Sequence, residues 1–185
     1  VLDLACGVGY GSRLLADERP DVDVLGVDLS ASAVEHARER YAGDRVSFQQ
    51  GDAMAFGDPK GFDTVVILET VEHLPEPAVF LRRLVGLLRP EGVLVASVPT
   101  TPSVDLNPHH LHDFTAASFR GMGRDAGLVE EDAFRQVQRL RPTEVLRGQR
   151  YRRSNLRPGL LRYYARHPEA AWRRAVSPWI ASPGP

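Results

Sequence analysis

Apolar and polar positions fall in alternating blocks along the first hundred residues. Val1–Ala5 is a short apolar run that ends in a glycine loop. Gly11–Asp17 opens a helix that carries Leu14, Leu15 and Ala16. Val22–Val27 reads as a second strand. Ser32–Tyr41 reads as a helix with Val34, Ala37 and Tyr41 on one face at helical spacing. Val46–Gln50 is a third strand. Phe62–Leu68 (FDTVVIL) is β-branched and apolar almost throughout, as a strand buried on both faces should be. Ala78–Leu88 reads as a helix, with Val79, Leu81, Leu84, Val85 and Leu88 apolar, and Gly92–Val98 as a fifth strand. Strands that alternate with helices predict an α/β fold, a doubly wound, mostly parallel sheet with helices on both faces. Further on, Asn107–Phe114 is a polar loop rich in histidine and Thr115–Ala126 a helix. Leu128–Phe134 and Val137–Leu140 look strand-like, and Leu160–Ala175 reads as a basic helix. The closing SPWIASPGP is rich in proline and expected to be mobile.

Composition narrows the class. The chain has 185 residues, enough for one domain with a small appendage. Apolar residues make up 43% and charged residues 25%, the balance of an ordinary globule rather than a disordered tail. No apolar run approaches the ~20 residues that cross a bilayer. Cys6 is the single cysteine, which excludes internal disulfides and a cysteine-built zinc site and fits a reducing cytosol. The opening VLDLACGVGYG lacks the basic and apolar regions of a leader. The chain starts on its first core strand at Val1, so a fragment, or a chain whose start is missing, is expected.

The formal net charge of −1 hides an asymmetry. Residues 1–134 carry 11 Lys and Arg against 22 Asp and Glu, and residues 135–174 carry 12 Arg against Glu144 and Glu169. A core over 1–140 and an Arg-rich, partly helical extension over 141–185 are therefore expected.

Three carboxylates carry the candidate chemistry. Gly7, Gly9 and Gly11 follow a strand and precede a helix, so the backbone can turn tightly and approach a ligand. The spacing is G-x-G-x-G, whereas a dinucleotide fingerprint reads G-x-G-x-x-G. Asp3 precedes the loop; it disfavours a nearby pyrophosphate and suits a ligand with an ammonium group. Such a loop is also read as a plain tight turn. Asp28, in Gly26-Val27-Asp28-Leu29-Ser30, ends the second strand 21 positions after Gly7, where a carboxylate can accept both hydroxyls of a ribose. Its alternative role is to cap the next helix, for which Ser30 is the better candidate. Asp52 and Ala53, after the third strand, can read an adenine edge or serve as ordinary turn residues. Past the fourth strand, Glu69, Glu72 and His73 offer acid and base groups. A histidine is the natural base, because imidazoles titrate near about pH 6.5.

The set VLDLACGVGYGS, GVDLS, GDA, FDTVVILETVEHL and LRPEGVLVASVP, in this order over residues 1 to 134, resembles class I S-adenosylmethionine-dependent methyltransferases. NPHHLHDFTAASF and LRGQR resemble a bacterial subgroup of the small-molecule type. The resemblance implies a Rossmann-like methyltransferase sheet whose covering N-terminal helices are missing here. It also implies that Asp3, Ala5, Gly7, Gly9, Tyr10 and Gly11 hold the methionine part of S-adenosylmethionine. Asp28 would hold the ribose, Leu29 would pack on adenine, Asp52 and Ala53 would read its edge, and the Leu68 carbonyl would touch the amino group.

Methyl transfer asks the protein to orient the acceptor and remove its proton. His73 is the first candidate base and Glu69 the second; the bland reading is that Glu69, Glu72 and His73 cap and solvate a turn before Pro75. His109, His110 and His112 are candidate substrate residues in a lid. No metal is expected, although Glu-x-x-Glu-His with a later histidine is similar to metal-assisted O-methyltransferases. Cys6 is expected to be a small packing residue.

The expected function is methyl transfer to a small-molecule acceptor, an oxygen of a metabolite, sugar or natural product, in the cytoplasm, by a monomer or homodimer. Alternatives are a metal-assisted RNA 2′-O-methyltransferase, a non-catalytic cofactor-binding subunit and, more distantly, a nicotinamide oxidoreductase. Nucleic acid is not the expected partner of the arginines, which are read as solvated surface or as packing against the acidic core or a second subunit, with an anionic small substrate such as a nucleotide-sugar as the alternative.

Overall fold

A computed structural model describes residues 1–135 and 157–172. Five strands, β1 (Leu2–Leu4), β2 (Val24–Asp28), β3 (Val46–Gln50), β4 (Phe62–Leu68) and β5 (Leu88–Ser97), form one sheet in the order β3-β2-β1-β4-β5. All pairings are parallel, with Leu4 opposite Val27 and Asp28 opposite Gln50. The chain therefore reverses its direction of travel across the sheet after β3. The crevice outside the strand ends on either side of β1 is where ligands bind in such sheets.

The helices are α1 (Tyr10–Glu18), α2 (Ala31–Tyr41), α3 (Pro77–Val85), α4 (Ala116–Asp125) and α5 (Leu160–Arg166). Two apolar clusters cover the two faces of the sheet. Ala16 of α1 and Val34 and Ala37 of α2 pack with Val24, Val46 and Phe48. Phe80, Leu81 and Leu84 of α3 pack with Leu2, Leu4, Val65 and Ile67, joined by Phe114 and, from α4, Phe119 and Met122. Ser30 caps α2 by accepting from the Ala33 N–H at 3.3 Å. A reciprocal Thr115–Ser118 capping box starts α4. Among the described residues, no helix is long and apolar enough to cross a membrane.

The structure departs from the sequence reading in several places. Helix α3 stops at Val85 rather than Leu88, because Gly86 supports a helix poorly and a turn there leads the chain into β5. Strand β5 begins at Leu88 rather than Gly92. It pairs Leu88 with Phe62 and resumes at Val93 opposite Thr64, so Pro90–Gly92 bulge out of the ladder. Glu91 takes φ +64° in that bulge. Leu128–Phe134 is not a strand; Val129 and Phe134 point into solvent, and no buried face exists to fix a strand register there. The basic helix is interrupted at His167, the C-cap of α5. Val137–Leu140, the boundary expected near residue 141 and the proline-rich end lie outside the described residues.

Candidate active site

The loop after β1 is held from two sides. The Cys6 N–H donates to the Val27 carbonyl at 3.0 Å, and the Gly7 N–H donates to Asp28 Oδ2 at 2.8 Å. Asp28 Oδ1 accepts from the Ser30 N–H at 2.9 Å. Asp28 thus ties the glycine loop to the start of α2, a role beyond helix capping. Ala5, Gly7 and Gly9 have φ of +61°, +57° and +86°. The three glycines differ physically. A Cβ at Gly9 would lie 2.6 Å from the Ala37 Cβ and 2.7 Å from Phe48 Cε1. A Cβ at Gly7 would meet nothing within 4 Å, and one at Gly11 would sit 3.7 Å from Asp3 Oδ2. The Phe48 ring fills the space beside both Gly9 and Gly26, which draws α1 and β2 close together.

Asp3 lies within β1, 7% exposed, with Oδ2 accepting from the Ser12 hydroxyl at 2.6 Å. Burial pushes its carboxyl above the ordinary range, the Ser12 bond works against the rise, and the Asp28 charge adds to it. Cys6 is half-buried, and burial with the charges of Asp3 and Asp28 pushes its thiol up to about 12, so it has no nucleophilic part. Asp52 is exposed and accepts from the Met54 N–H at 2.8 Å, a turn bond that leaves its other oxygen outward, and Ala53 is half-buried behind it. Tyr10 and Leu29 are each 67% exposed, Leu68 51% and Val8 45%. These four apolar side chains share the C-terminal edge of β1, β2 and β4, where solvent exposure suits a ligand surface. The Leu68 carbonyl accepts from the Thr70 hydroxyl at 2.9 Å.

Past β4 the chain makes a 3₁₀ turn over Val71–His73. Glu69 stands at φ +50°, and its Oε1 accepts from the Ser97 hydroxyl at 2.7 Å. Ala5 and Glu69, at the ends of neighbouring strands, are both non-glycine residues in the left-handed region. Such strain concentrates at functional sites. Glu72 does not solvate the turn, which was the bland alternative in the sequence reading. It is 1% exposed, its Oε2 has no partner, and burial followed by the charge of Glu69 raises its carboxyl. His73 Nδ1–H donates to the His109 carbonyl at 3.0 Å, which leaves Nε2 as the unprotonated nitrogen of the neutral ring.

The histidine loop packs on this turn. The rings of His73 and His110 meet edge to face at 4.7 Å. His110 Nδ1 pairs with the Ser103 hydroxyl at 2.7 Å, and burial with His73 nearby lowers its basicity. His112 Nε2–H donates to the Leu74 carbonyl at 2.9 Å, a structural bond, and His109 is exposed. Donor atoms of Glu72, His73 and His110 lie within 4.8 Å of one another, a set with metal-ligand chemistry. The residues that the sequence reading singled out lie along one edge of the sheet, and that reading did not name Ser12, Ser97 and Ser103, which hydrogen-bond to Asp3, Glu69 and His110. Their one signal was position: Ser12 lies a turn into the helix after the loop, and Ser97 ends the strand beside β4. A separate cavity of about 550 Å³, lined by Phe56, Asp58, Arg82, Arg83 and Leu87, lies where α3 ends, at the opposite edge of the sheet.

A family model described as "Methyltransferase domain" matches residues 1–92. A protein of Mycolicibacterium smegmatis named "Probable S-adenosylmethionine-dependent methyltransferase" is 35% identical over 139 residues, 71% of this chain and 52% of its own length. A ubiquinone biosynthesis O-methyltransferase of Azorhizobium caulinodans is 39% identical over 102 residues, 52% of this chain and 39% of its own. The chain thus spans about half the length or less of these curated relatives. A solved S-adenosylmethionine-dependent methyltransferase from Mesorhizobium loti superposes with a TM-score of 0.58 at 20% identity over 68% of this chain and 72% of that one, a likeness of fold.

Proposed function

This chain belongs to the class I S-adenosylmethionine-dependent methyltransferases, and from that premise we propose that it directs methyl transfer to an oxygen of a small-molecule acceptor, with His73 as general base. The residues present fit the cofactor. The open space over Gly7, the exposed Leu29 and Tyr10 and the carboxylates Asp3, Asp28 and Asp52 suit a ligand that is apolar in its ring and cationic at its other end. Asp28 would take the ribose, Asp52 and Ala53 the adenine edge, and Asp3 with the glycine loop the ammonium end. S-adenosylmethionine supplies, when bound, an electrophilic methyl on a sulfonium.

The protein's own part is orientation and proton removal. The observation that carries the reading is the Nδ1–H bond of His73 to the His109 carbonyl, which fixes the tautomer with a bare Nε2. Nε2 lies 3.9 Å from Glu72 Oε1, near enough for a carboxylate to stabilise the imidazolium once the proton is taken. Glu69, anchored by Ser97, is the second candidate base. His109 and His110 would line the acceptor side, in a protein that works as a monomer or homodimer in the cytoplasm. The O-methyltransferase name of the Azorhizobium relative supports oxygen as the acceptor atom.

The test is transfer of labelled methyl from S-adenosylmethionine to a panel of phenols, sugars and hydroxy acids. His73→Ala should lower turnover about 10²–10⁴-fold with S-adenosylhomocysteine affinity unchanged. Equal turnover would leave positioning as the whole mechanism, and intact cofactor binding with no transfer by the full-length protein would favour a non-catalytic subunit. The unpartnered Glu72 Oε2 supports a second reading, a divalent cation on Glu72, His73 and His110. Loss of transfer in chelator, restored by Mn²⁺, with short RNA among the acceptors, would select it.

A further inference from the structure

Residues from the C-terminal segment reach the histidine loop across more than fifty positions of sequence. The Arg157 N–H donates to the Leu106 carbonyl at 2.5 Å. Its side chain continues along the same turn, with Nε to the Asp105 carbonyl at 3.1 Å and Nη2 to the Val104 carbonyl at 2.9 Å. The guanidinium stacks over the Tyr163 ring at 4.6 Å, and the Tyr164 hydroxyl donates to Asp105 Oδ2 at 2.6 Å. Three successive carbonyls facing one way have no use for each other. A guanidinium suits them because its donors form a rigid fork.

The turn that Arg157 holds is the base of the loop. Asp113 Oδ1 accepts from the N–H groups of Ser103 and Val104 at 2.6 and 3.1 Å. The Ser103 carbonyl accepts from Leu106 and Asn107. The hydroxyl of the same Ser103 meets His110 Nδ1, and the His110 ring meets His73. From the other side the loop is tied to the turn after β4 by His73 to the His109 carbonyl and by the Leu111 N–H to the Glu72 carbonyl at 2.8 Å. Arg157 and His73 thus grip opposite ends of one loop.

We propose that Arg157 is a positioning residue: by pinning the Val104–Leu106 turn it sets the Ser103–His110 pair against His73, so that the C-terminal segment completes the acceptor side of the site. This rests on the reading of that side as the acceptor side. It assigns one of the arginines of the basic segment to packing inside the protein rather than to a surface partner.

The test compares the wild-type chain with Arg157→Ala and Arg157→Lys, using S-adenosylhomocysteine as the probe ligand. Three quantities are read: amide hydrogen exchange at Asn107 and Leu111, the ring-nitrogen NMR signals of His110, and ligand affinity by calorimetry. Arg157→Ala should exchange both amides at least about tenfold faster. It should average the two His110 nitrogens as the Ser103 bond is lost, and change ligand affinity less than about twofold. Arg157→Lys, without the fork, should fall between the two. If Arg157→Ala does not fold, Tyr164→Phe removes the Asp105 bond and should loosen the same amides more weakly. Unchanged exchange and unchanged His110 signals in a folded variant overturn the proposal. None of these readouts needs an acceptor, so that failure is separate from the failure of His73 as base, which the labelled-methyl assay decides.

Discussion

Gly7, Gly9 and Gly11 look equivalent in the sequence, yet alanine should act on them in three different ways. At Gly9 the left-handed φ of +86° is disfavoured for alanine by roughly 1–2 kcal/mol. The new Cβ would also press within 2.6 Å of the Ala37 Cβ, itself held by the core, and overpacking of this kind costs about 1–3 kcal/mol. Restricting the unfolded chain offsets ~0.4–1 kcal/mol. The expected net loss is roughly 2–4 kcal/mol, or ~5–15 °C in Tm for a chain of this size. At Gly7 the strain remains but the contact is absent, so the loss should stay within about 1 kcal/mol. Its Cβ would enter the open crevice, and affinity for S-adenosylhomocysteine should fall instead. Gly11 lies inside α1 without positive φ, and alanine there should be neutral or stabilising by up to ~1 kcal/mol. Urea unfolding gives the three stabilities, and calorimetry gives the affinities. The reasoning fails if Gly11→Ala destabilises as much as Gly9→Ala, or if Gly9→Ala stays within about 0.5 kcal/mol of wild type, the range of an inconsequential change.

Two further outcomes follow from the acids. Asp28→Ala removes the acceptor of the Gly7 and Ser30 N–H groups and should weaken S-adenosylhomocysteine binding by roughly 1–3 kcal/mol, about 5–150-fold; an unchanged calorimetric titration would take Asp28 out of the ribose site. Asp3 is raised above its ordinary value near 3.8, so the folded state holds the proton more tightly than the unfolded chain. The penalty for burying its charge is absent below that ordinary value and complete once pH exceeds the folded value. The stability of Asp3→Asn relative to wild type should therefore rise with pH through the acid range and then level off, while cofactor affinity drops. A relative stability that falls as pH rises would mean the folded state favours the Asp3 charge.

The parallel sheet was readable because its strands are buried on both sides and leave continuous apolar runs; β3 and β4 match their predicted limits. The ends of elements were less readable. Pro90-Glu91-Gly92 looks like a loop before a strand, and the structure makes it a bulge within one, a difference set by pairing with β4 that no local pattern records. Leu128–Phe134 has strand-forming residues but nothing to bury them against. In the site, residue types at strand ends could be read because the fold puts strand ends together. Burial could not: a Glu-His pair beside a proline can be read as a solvated turn, yet Glu72 is buried, and its carbonyl accepts from the N–H of Leu111, 39 positions on, a contact no local pattern records. Arg157 was equally hidden, being one of the twelve arginines of residues 135–174 until the turn it holds is known.

The three aspartates differ in a way that bears on selectivity. Along the edge of the sheet from β1 through β2 to β3, Asp3 is buried, Asp28 half-buried and Asp52 exposed. Asp3 lies within β1, Asp28 is the last residue of β2 and Asp52 follows the end of β3 by two positions, so each acid in turn stands further out of the sheet and loses less water. A charge acts more strongly where less water screens it. A ligand lying along this edge therefore meets weak, solvated hydrogen-bonding carboxylates under one end and a poorly screened negative charge under the other. That gradient favours an adenosine whose far end is cationic. It opposes a dinucleotide, whose pyrophosphate would come to rest over the glycine loop beside Asp3. On this reading, selection against nicotinamide cofactors would come from the electrostatics of β1 as much as from the spacing of the glycines, because the burial that disfavours the Asp3 charge also leaves that charge poorly screened.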